Sequence, residues 1–170
     1  MSEQLTTEAP GPVTRISTPI ELVYRYTAGA AASRFLKGLL EKRILGQRCP
    51  SCGKVYVPPR GSCASCGVAT KEEVELPPTG IVTTFCVVNV PFYGQKIKIP
   101  YVTGTILLDG ADIGLMHLLQ EVEADEVRMG MRVEAVWQDD GEMVPGMESI
   151  KYFRPTGEPD APYESYKEHV

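Results

Sequence analysis

A chain of 170 residues makes one domain or two small ones, and its 43% hydrophobic and 23% charged residues are ordinary globular usage, which excludes a wholly disordered or a collagen-like chain. The net charge of −5 argues against a general nucleic-acid binder, because such proteins need an excess of cations to displace counterions from phosphates. There is no run of about 18 apolar residues to span a membrane. Residues 1–19 carry Glu3 and Glu8 and no apolar stretch, so they do not read as a secretory signal, and the expected compartment is the cytoplasm.

In chain order, residues 1–18, with Pro10, Gly11 and Pro12 and few apolar anchors, read as a flexible tail. Residues 19–47 form a helical arm. Within it, Ile20–Tyr26 is an apolar and aromatic run, extended or a short helix. A better helix is predicted over Ala30–Leu45, where Phe35, Leu36, Leu39, Leu40 and Ile44 make one stripe at helical spacing and Gly46 would supply the stop. Residues 48–75 hold four of the five cysteines. Beyond Pro77-Pro78 the pattern changes to short β-branched runs over residues 76–155: Gly80–Val90, Tyr101–Leu108, Ile113–Leu119, Met131–Trp137 and Met147–Phe153, with a short acidic piece at Val122–Val127 that could be one helical turn. Five short strands with one interruption between the third and fourth predict a five-stranded Greek-key barrel of the OB type, with a plain β-sandwich as the alternative. Residues 156–170, polar and acidic, read as a second flexible tail. Charge is uneven: seven bases face one acid in Ala30–Arg60, and thirteen acids face five bases in Glu121–Val170.

The strongest chemical signal is Cys49-Pro-Ser-Cys52-Gly followed, after ten intervening residues, by Cys63-Ala-Ser-Cys66-Gly. Two residues between cysteines let one tight turn aim both sulfurs at one ion, and the glycine after each second cysteine accepts the positive φ of that turn. Four thiolates suit a tetrahedral Zn²⁺ and close its coordination shell, so the predicted role is structural. Disulfides, or an iron or redox centre, are the competing readings. Val55, Tyr56 and Val57 would form the ribbon between the knuckles. The fifth cysteine, Cys86, lies in a predicted strand and is expected to be a buried, inert thiol. A catalytic role for it would need a base, and His117 is the one candidate, itself expected to be structural. Trp137 is expected in the barrel core.

These residues resemble the DUF35 family of zinc-ribbon/OB-fold, acyl-CoA-associated proteins. The resemblance rests on LGQRCPSCG at 45–53, YVPPR at 56–60, the second knuckle at 63–67, Gly80-Ile-Val, PYV at 100–102, VRMGMRVEAV at 127–136 and Phe153-Arg-Pro. It covers about residues 20–157 and leaves both tails out. It implies a mainly β fold: a helical arm, a rubredoxin-like zinc ribbon and a five-stranded OB-fold barrel. It also implies a non-catalytic accessory subunit of a thiolase-like enzyme, in which the partner supplies the catalytic groups and the barrel helps position a CoA thioester for carbon–carbon bond cleavage or formation. The sequence read alone agrees, since it offers no phosphate loop, paired carboxylates or Ser-His-Asp arrangement.

Candidate contacts with CoA or the partner are Arg60, held beside a stiff Pro-Pro, and Phe92, Tyr93, Lys96 and Lys98 in the connection between the first two barrel strands, a ligand-facing element of OB barrels. Phe35, Leu36, Leu39 and Leu40 are the candidate partner-facing helix stripe, the competing reading being that they belong to the core. A nucleic-acid-binding zinc-ribbon/OB module is the alternative function, disfavoured by the acidic second half, and an enzyme using Cys86 and His117 is a third.

Overall fold

The computed structural model describes Leu22 and residues 25–170 apart from Tyr93. The predicted tail over 1–18, much of the Ile20–Tyr26 run, and Tyr93 lie outside the described residues.

The helix α1 spans Gly29–Leu40 and is shorter than the apolar stripe predicts. It is ended by its own backbone. The N–H of Arg43 bonds to the Gly38 carbonyl at 2.9 Å and that of Lys42 to the Leu39 carbonyl at 3.1 Å, with Lys42 at φ 57°. This is a Schellman closure with lysine in the left-handed position that glycine usually fills. Gly46, expected as the helix stop, sits instead in strand β1 (Ile44–Arg48), where a Cβ would come within 2.8 Å of Val57 Cγ2. It allows β2 (Val55–Tyr56) to lie close against β1. The other edge of β1 pairs antiparallel with β3 (Glu72–Leu76), so the ribbon is a three-stranded sheet over 44–76, wider than the predicted 48–75.

The barrel follows as predicted in number and order. Its strands are β4 (Thr79–Val88), β5 (Tyr101–Leu108), β6 (Leu115–Leu119), β7 (Arg132–Trp137) and β8 (Ile150–Pro155), closed in the order β4-β5-β6-β8-β7, with the single parallel contact between β6 and β8. This is the OB-fold, and the β-sandwich alternative is set aside. The Val122–Val127 stretch is a turn closed by the Glu126 N–H on the Glu123 carbonyl, not a helix.

Ribbon, helix and barrel share one core. Phe35 and Leu39 of α1, Ile44, Val55, Val57 and Leu76 of the ribbon, and Val82, Ile106, Val133, Ile150 and Phe153 of the barrel form a single buried cluster, against which Leu36 and Trp137 are half-buried. A helix and a small metal ribbon have too little surface for separate cores, and the barrel end supplies the missing wall. Leu40, on the far side of α1, is exposed.

Cys86 is exposed, contrary to expectation. The reason is a bulge. Val82 pairs with Ile106 and Thr84 with Thr105, leaving Thr83 as an extra residue. One inserted residue reverses the alternation, so Cys86, opposite Thr103, faces outward. Residues 156–170 are likewise no loose tail. Tyr166, 5% exposed, packs on the outward-facing Ile81 and Leu107. The Ala161 N–H bonds to the Gly130 carbonyl at 2.8 Å, and Asp160 pairs with Arg128 and Glu158 with Arg132.

Arg132 also forks onto Asp109 at 2.6 and 2.7 Å, while Thr79 donates to the same carboxylate at 2.6 Å. The Arg132 hydrogen bonds come first in holding the Asp109 carboxyl below the usual carboxylate range. A carboxyl lowered on folding stabilises the fold at pH values above its unfolded pKa of about 3.9 and ceases to do so as the pH falls through its lower folded value. Stability differences between the native protein and Asp109→Asn, measured by urea unfolding, are therefore expected to hold steady from about pH 8 to 5 and to shrink below about pH 4. Tyr166→Ala should cost about 2–3 kcal/mol in the same measurement, as truncation of a buried aromatic at the margin of a core does.

Candidate metal centre

The two knuckles are built alike. In the first, the Cys49 N–H bonds to the Lys54 carbonyl at 2.8 Å and the Gly53 N–H to the Cys49 carbonyl at 3.0 Å. In the second, the Cys63 N–H bonds to the Val68 carbonyl at 2.8 Å and the Gly67 N–H to the Cys63 carbonyl at 2.9 Å. Gly53 and Gly67 take φ of 77° and 68°, a region costly for any residue with a Cβ. Backbone N–H groups of Ser51 and Cys52 approach the Cys49 sulfur at 3.4 Å, and that of Cys66 approaches the Cys63 sulfur at 3.4 Å. Backbone donors aimed at sulfur stabilise a thiolate rather than a thiol.

The sulfurs of Cys49, Cys52, Cys63 and Cys66 lie within 4.8 Å of one another. A tetrahedron with Zn–S bonds of about 2.3 Å has sulfurs about 3.8 Å apart. The Cys52 and Cys63 sulfurs stand 3.7 Å apart, against the roughly 2.05 Å of a disulfide. The donor set therefore fits a closed tetrahedral ion. Protonation points the same way. The Tyr56 hydroxyl, above all, brings the Cys63 thiol down to about 6. At Cys52 the Lys54 N–H favours the thiolate, but loss of hydration and hydrogen bonds with the other sulfurs outweigh it and lift the thiol to about 11. Four sulfurs this close do not all ionise without a cation among them.

The centre is tied to the barrel. The Val55 N–H bonds to Asp112 Oδ2 at 2.8 Å and the Asp112 N–H returns to the Val55 carbonyl at 3.0 Å, while Ile113 packs on the cluster of Cys49, Tyr56 and Cys63. The β5–β6 turn thus sits directly on the metal ribbon. Neither Asp112 nor Tyr56 was singled out by sequence reading. Tyr56 could have been: on a strand where Val55 and Val57 face the core, the residue between them must face the knuckles.

The other candidate residues are scattered. Arg60 is exposed on the ribbon and makes no ion pair among the described residues. Phe92, Lys96 and Lys98 are exposed in the β4–β5 connection, together with Val90 and Ile97. The basic segment is largely neutralised, because β3 brings acids beside it: Arg48 pairs with Glu72, Arg34 with Glu73 and Arg43 with Glu75, while Lys42 pairs with Asp140. Cys86 and His117 do not meet. Cys86 shares the outer face with Thr103 and Leu118, whereas His117 turns the other way and packs edge-on against Phe153. His117 Nδ1 accepts the Leu118 N–H at 2.9 Å, its Nε2 lies 3.4 Å from the Met147 carbonyl, and burial lowers its pKa, as befits a neutral structural histidine. A cleft of about 450 Å³ opens beside it on the outer face of β5 and β6, lined by Thr103, Met116, Leu118, Gln138, Met147 and Lys151.

Fold and site together define a zinc-ribbon protein with an OB barrel fused to it through a common core. Comparison with known proteins agrees in both halves. The family model for the ChsH2 rubredoxin-like zinc ribbon domain matches residues 36–72, and that for the ChsH2 C-terminal OB-fold domain matches residues 73–138. A DUF35 domain-containing scaffold protein of Methanocaldococcus jannaschii is 37% identical over 97 residues, 56% of this chain and 67% of that protein. Among solved structures, a chain of the Ltp2-ChsH2(DUF35) aldolase superposes with a TM-score of 0.58 at 26% identity, covering 77% of this chain and 98% of that one. A Sulfolobus solfataricus protein of unknown function from the DUF35 family has a TM-score of 0.56 at 22% identity, covering 75% and 84%. The chain belongs to the DUF35 family.

Replacing Cys49 or Cys63 by serine should abolish stoichiometric zinc binding, measured by atomic absorption, and erase amide-exchange protection across β1, β2 and the β5–β6 turn. Structural zinc contributes on the order of 10 kcal/mol to small metal domains, more than a ribbon of this size can replace from its own packing.

Proposed function

We propose that the protein is a non-catalytic accessory subunit that binds a thiolase-like enzyme and helps position a CoA thioester for carbon–carbon bond cleavage or formation. The likeness to the DUF35 chain of an aldolase that pairs ChsH2 with a second protein carries this reading, and the scaffold description of the Methanocaldococcus relative supports it. The separation of Cys86 from His117 leaves the third reading, an enzyme built on that pair, without its base. The nucleic-acid reading finds little support, since Glu72, Glu73 and Glu75 take up Arg48, Arg34 and Arg43, which would have formed a basic track.

In the favoured reading, zinc keeps the ribbon rigid and the barrel keeps it oriented. Leu40 and the exposed Val90, Phe92 and Ile97 are among the apolar contacts available to a partner, whereas Phe35 and Leu39 already lie in the core. Arg60, Lys96 and Lys98, exposed and without ion pairs among the described residues, are cations available to the phosphates of CoA. Their work is to orient the thioester and exclude water while the partner makes and breaks bonds.

The test is co-expression with a thiolase-like protein encoded beside this one. The pair should co-elute and turn over an acyl-CoA that neither component alone converts. Phe92→Ala should weaken the complex about tenfold by calorimetry, the scale of an apolar anchor at an interface, and Arg60→Ala should raise the KM for the thioester more than it lowers kcat. A partner whose activity is unchanged by this chain would refute the reading.

A further inference from the structure

We propose that Tyr56 is an outer ligand of the metal centre, whose hydroxyl holds the sulfur of Cys63 and sets how fast the ion leaves. This stands apart from the partner reading and depends only on the four-cysteine site.

The strand places the ring. Val55 and Val57 point into the shared core, so Tyr56 between them turns toward the knuckles, where it is 2% exposed in a cluster with Cys49 and Cys63. Its oxygen lies 3.2 Å from the Cys63 sulfur and accepts the Ala64 N–H at 3.2 Å. A phenol has one proton and two lone pairs. A metal-bound thiolate has no proton to give, so the hydroxyl proton goes to sulfur while Ala64 occupies a lone pair. The other buried polar groups nearby are matched elsewhere: Thr70 donates to Gln47 at 3.0 Å, and no buried side-chain polar atom among the described residues lacks a partner.

The first knuckle has no equivalent. Its buried sulfur, Cys49, receives the backbone donors of Ser51 and Cys52, and no side-chain hydroxyl among the described residues bonds to it. Two knuckles of the same backbone design thus differ by one phenol. That phenol grips a sulfur and the amide next to it in sequence, fixing the turn that presents Cys63. Removing the oxygen leaves more charge on that sulfur and lets the second knuckle open. Groups that hydrogen-bond to metal ligands change affinity by about 10–100-fold when removed.

The experiment uses the full zinc-loaded chain and its Tyr56→Phe variant, which keeps the ring and loses the oxygen. Zinc transfer to a chromogenic chelator should be about tenfold faster in the variant, with an unchanged far-ultraviolet circular dichroism spectrum. Brief alkylation with N-ethylmaleimide, mapped by mass spectrometry, should show Cys63 gaining reactivity relative to Cys49. Release rates equal to those of the native protein, or equal gains at both cysteines, would overturn the proposal. Should Tyr56→Phe fail to fold, the native chain loaded with ¹¹³Cd decides. The Tyr56 hydroxyl proton should show scalar coupling to cadmium through the Cys63 sulfur, and a hydroxyl resonance that is uncoupled, or that is lost to exchange with water, would overturn it.

Discussion

Four ionised sulfurs cannot be held within 4.8 Å of one another unless a cation sits among them. At such distances like charges repel by several kcal/mol per pair at the effective dielectric of a protein surface, about 20. The two knuckles, the spread of protonation between Cys63 and Cys52, and the two left-handed glycines all follow from this constraint. So does the ribbon around them. A strand of two residues, β2, is held by β1 on one side, by Asp112 of the barrel through a reciprocal pair of hydrogen bonds, and by the knuckles at each of its ends. The metal is what makes so short a strand a fixed point.

From that point the molecule is built in both directions. Toward the barrel, Val55 and Val57 join Leu76 and Val82 in one apolar core, and α1 caps it with Phe35 and Leu39. Toward the surface, the acids of β3 neutralise Arg34 of α1, Arg43 of the turn that follows it and Arg48 of β1. Each of these exposed pairs adds little to stability, because water screens the charges and the side chains lose freedom in pairing. Their larger effect is on what the surface can attract: a segment that is strongly basic in sequence loses most of its arginine charge in space, and Arg60 stays exposed without an ion pair among the described residues.

The parts legible in sequence were those governed by local rules. Knuckle spacing, the glycines after Cys52 and Cys66, and the five β-branched runs each state their geometry within a few residues, and the resemblance to DUF35 proteins ordered them. The misread parts depend on distant partners. Helix α1 stops at Leu40, two residues after Gly38, because of a backbone closure at Lys42, a residue with no preference for that conformation. Strand β3, Glu-Glu-Val-Glu-Leu, draws no reading of its own, because its acids are matched only by Arg34, Arg43 and Arg48 on distant segments. The alternation around Cys86 is correct on either side of Thr83 and reversed across it, and a bulge has no reliable signature in a β-branched run. Tyr166 reads as part of a polar tail until Ile81 and Leu107 turn out to face outward and need covering.

The shared core also orders events in time. The cysteines of both knuckles lie within eighteen residues, so the ion can be captured while the rest of the chain is still being synthesised. Helix α1 cannot be fully enclosed so early, because besides β1 it packs beside the turn at Met147–Ser149, and its core neighbours Ile150 and Phe153 come more than a hundred residues later. Phe35 and Leu39 can therefore meet their ribbon neighbours early but gain the barrel side of their packing only near the end of synthesis, and α1 is among the last of the described elements to be fully enclosed.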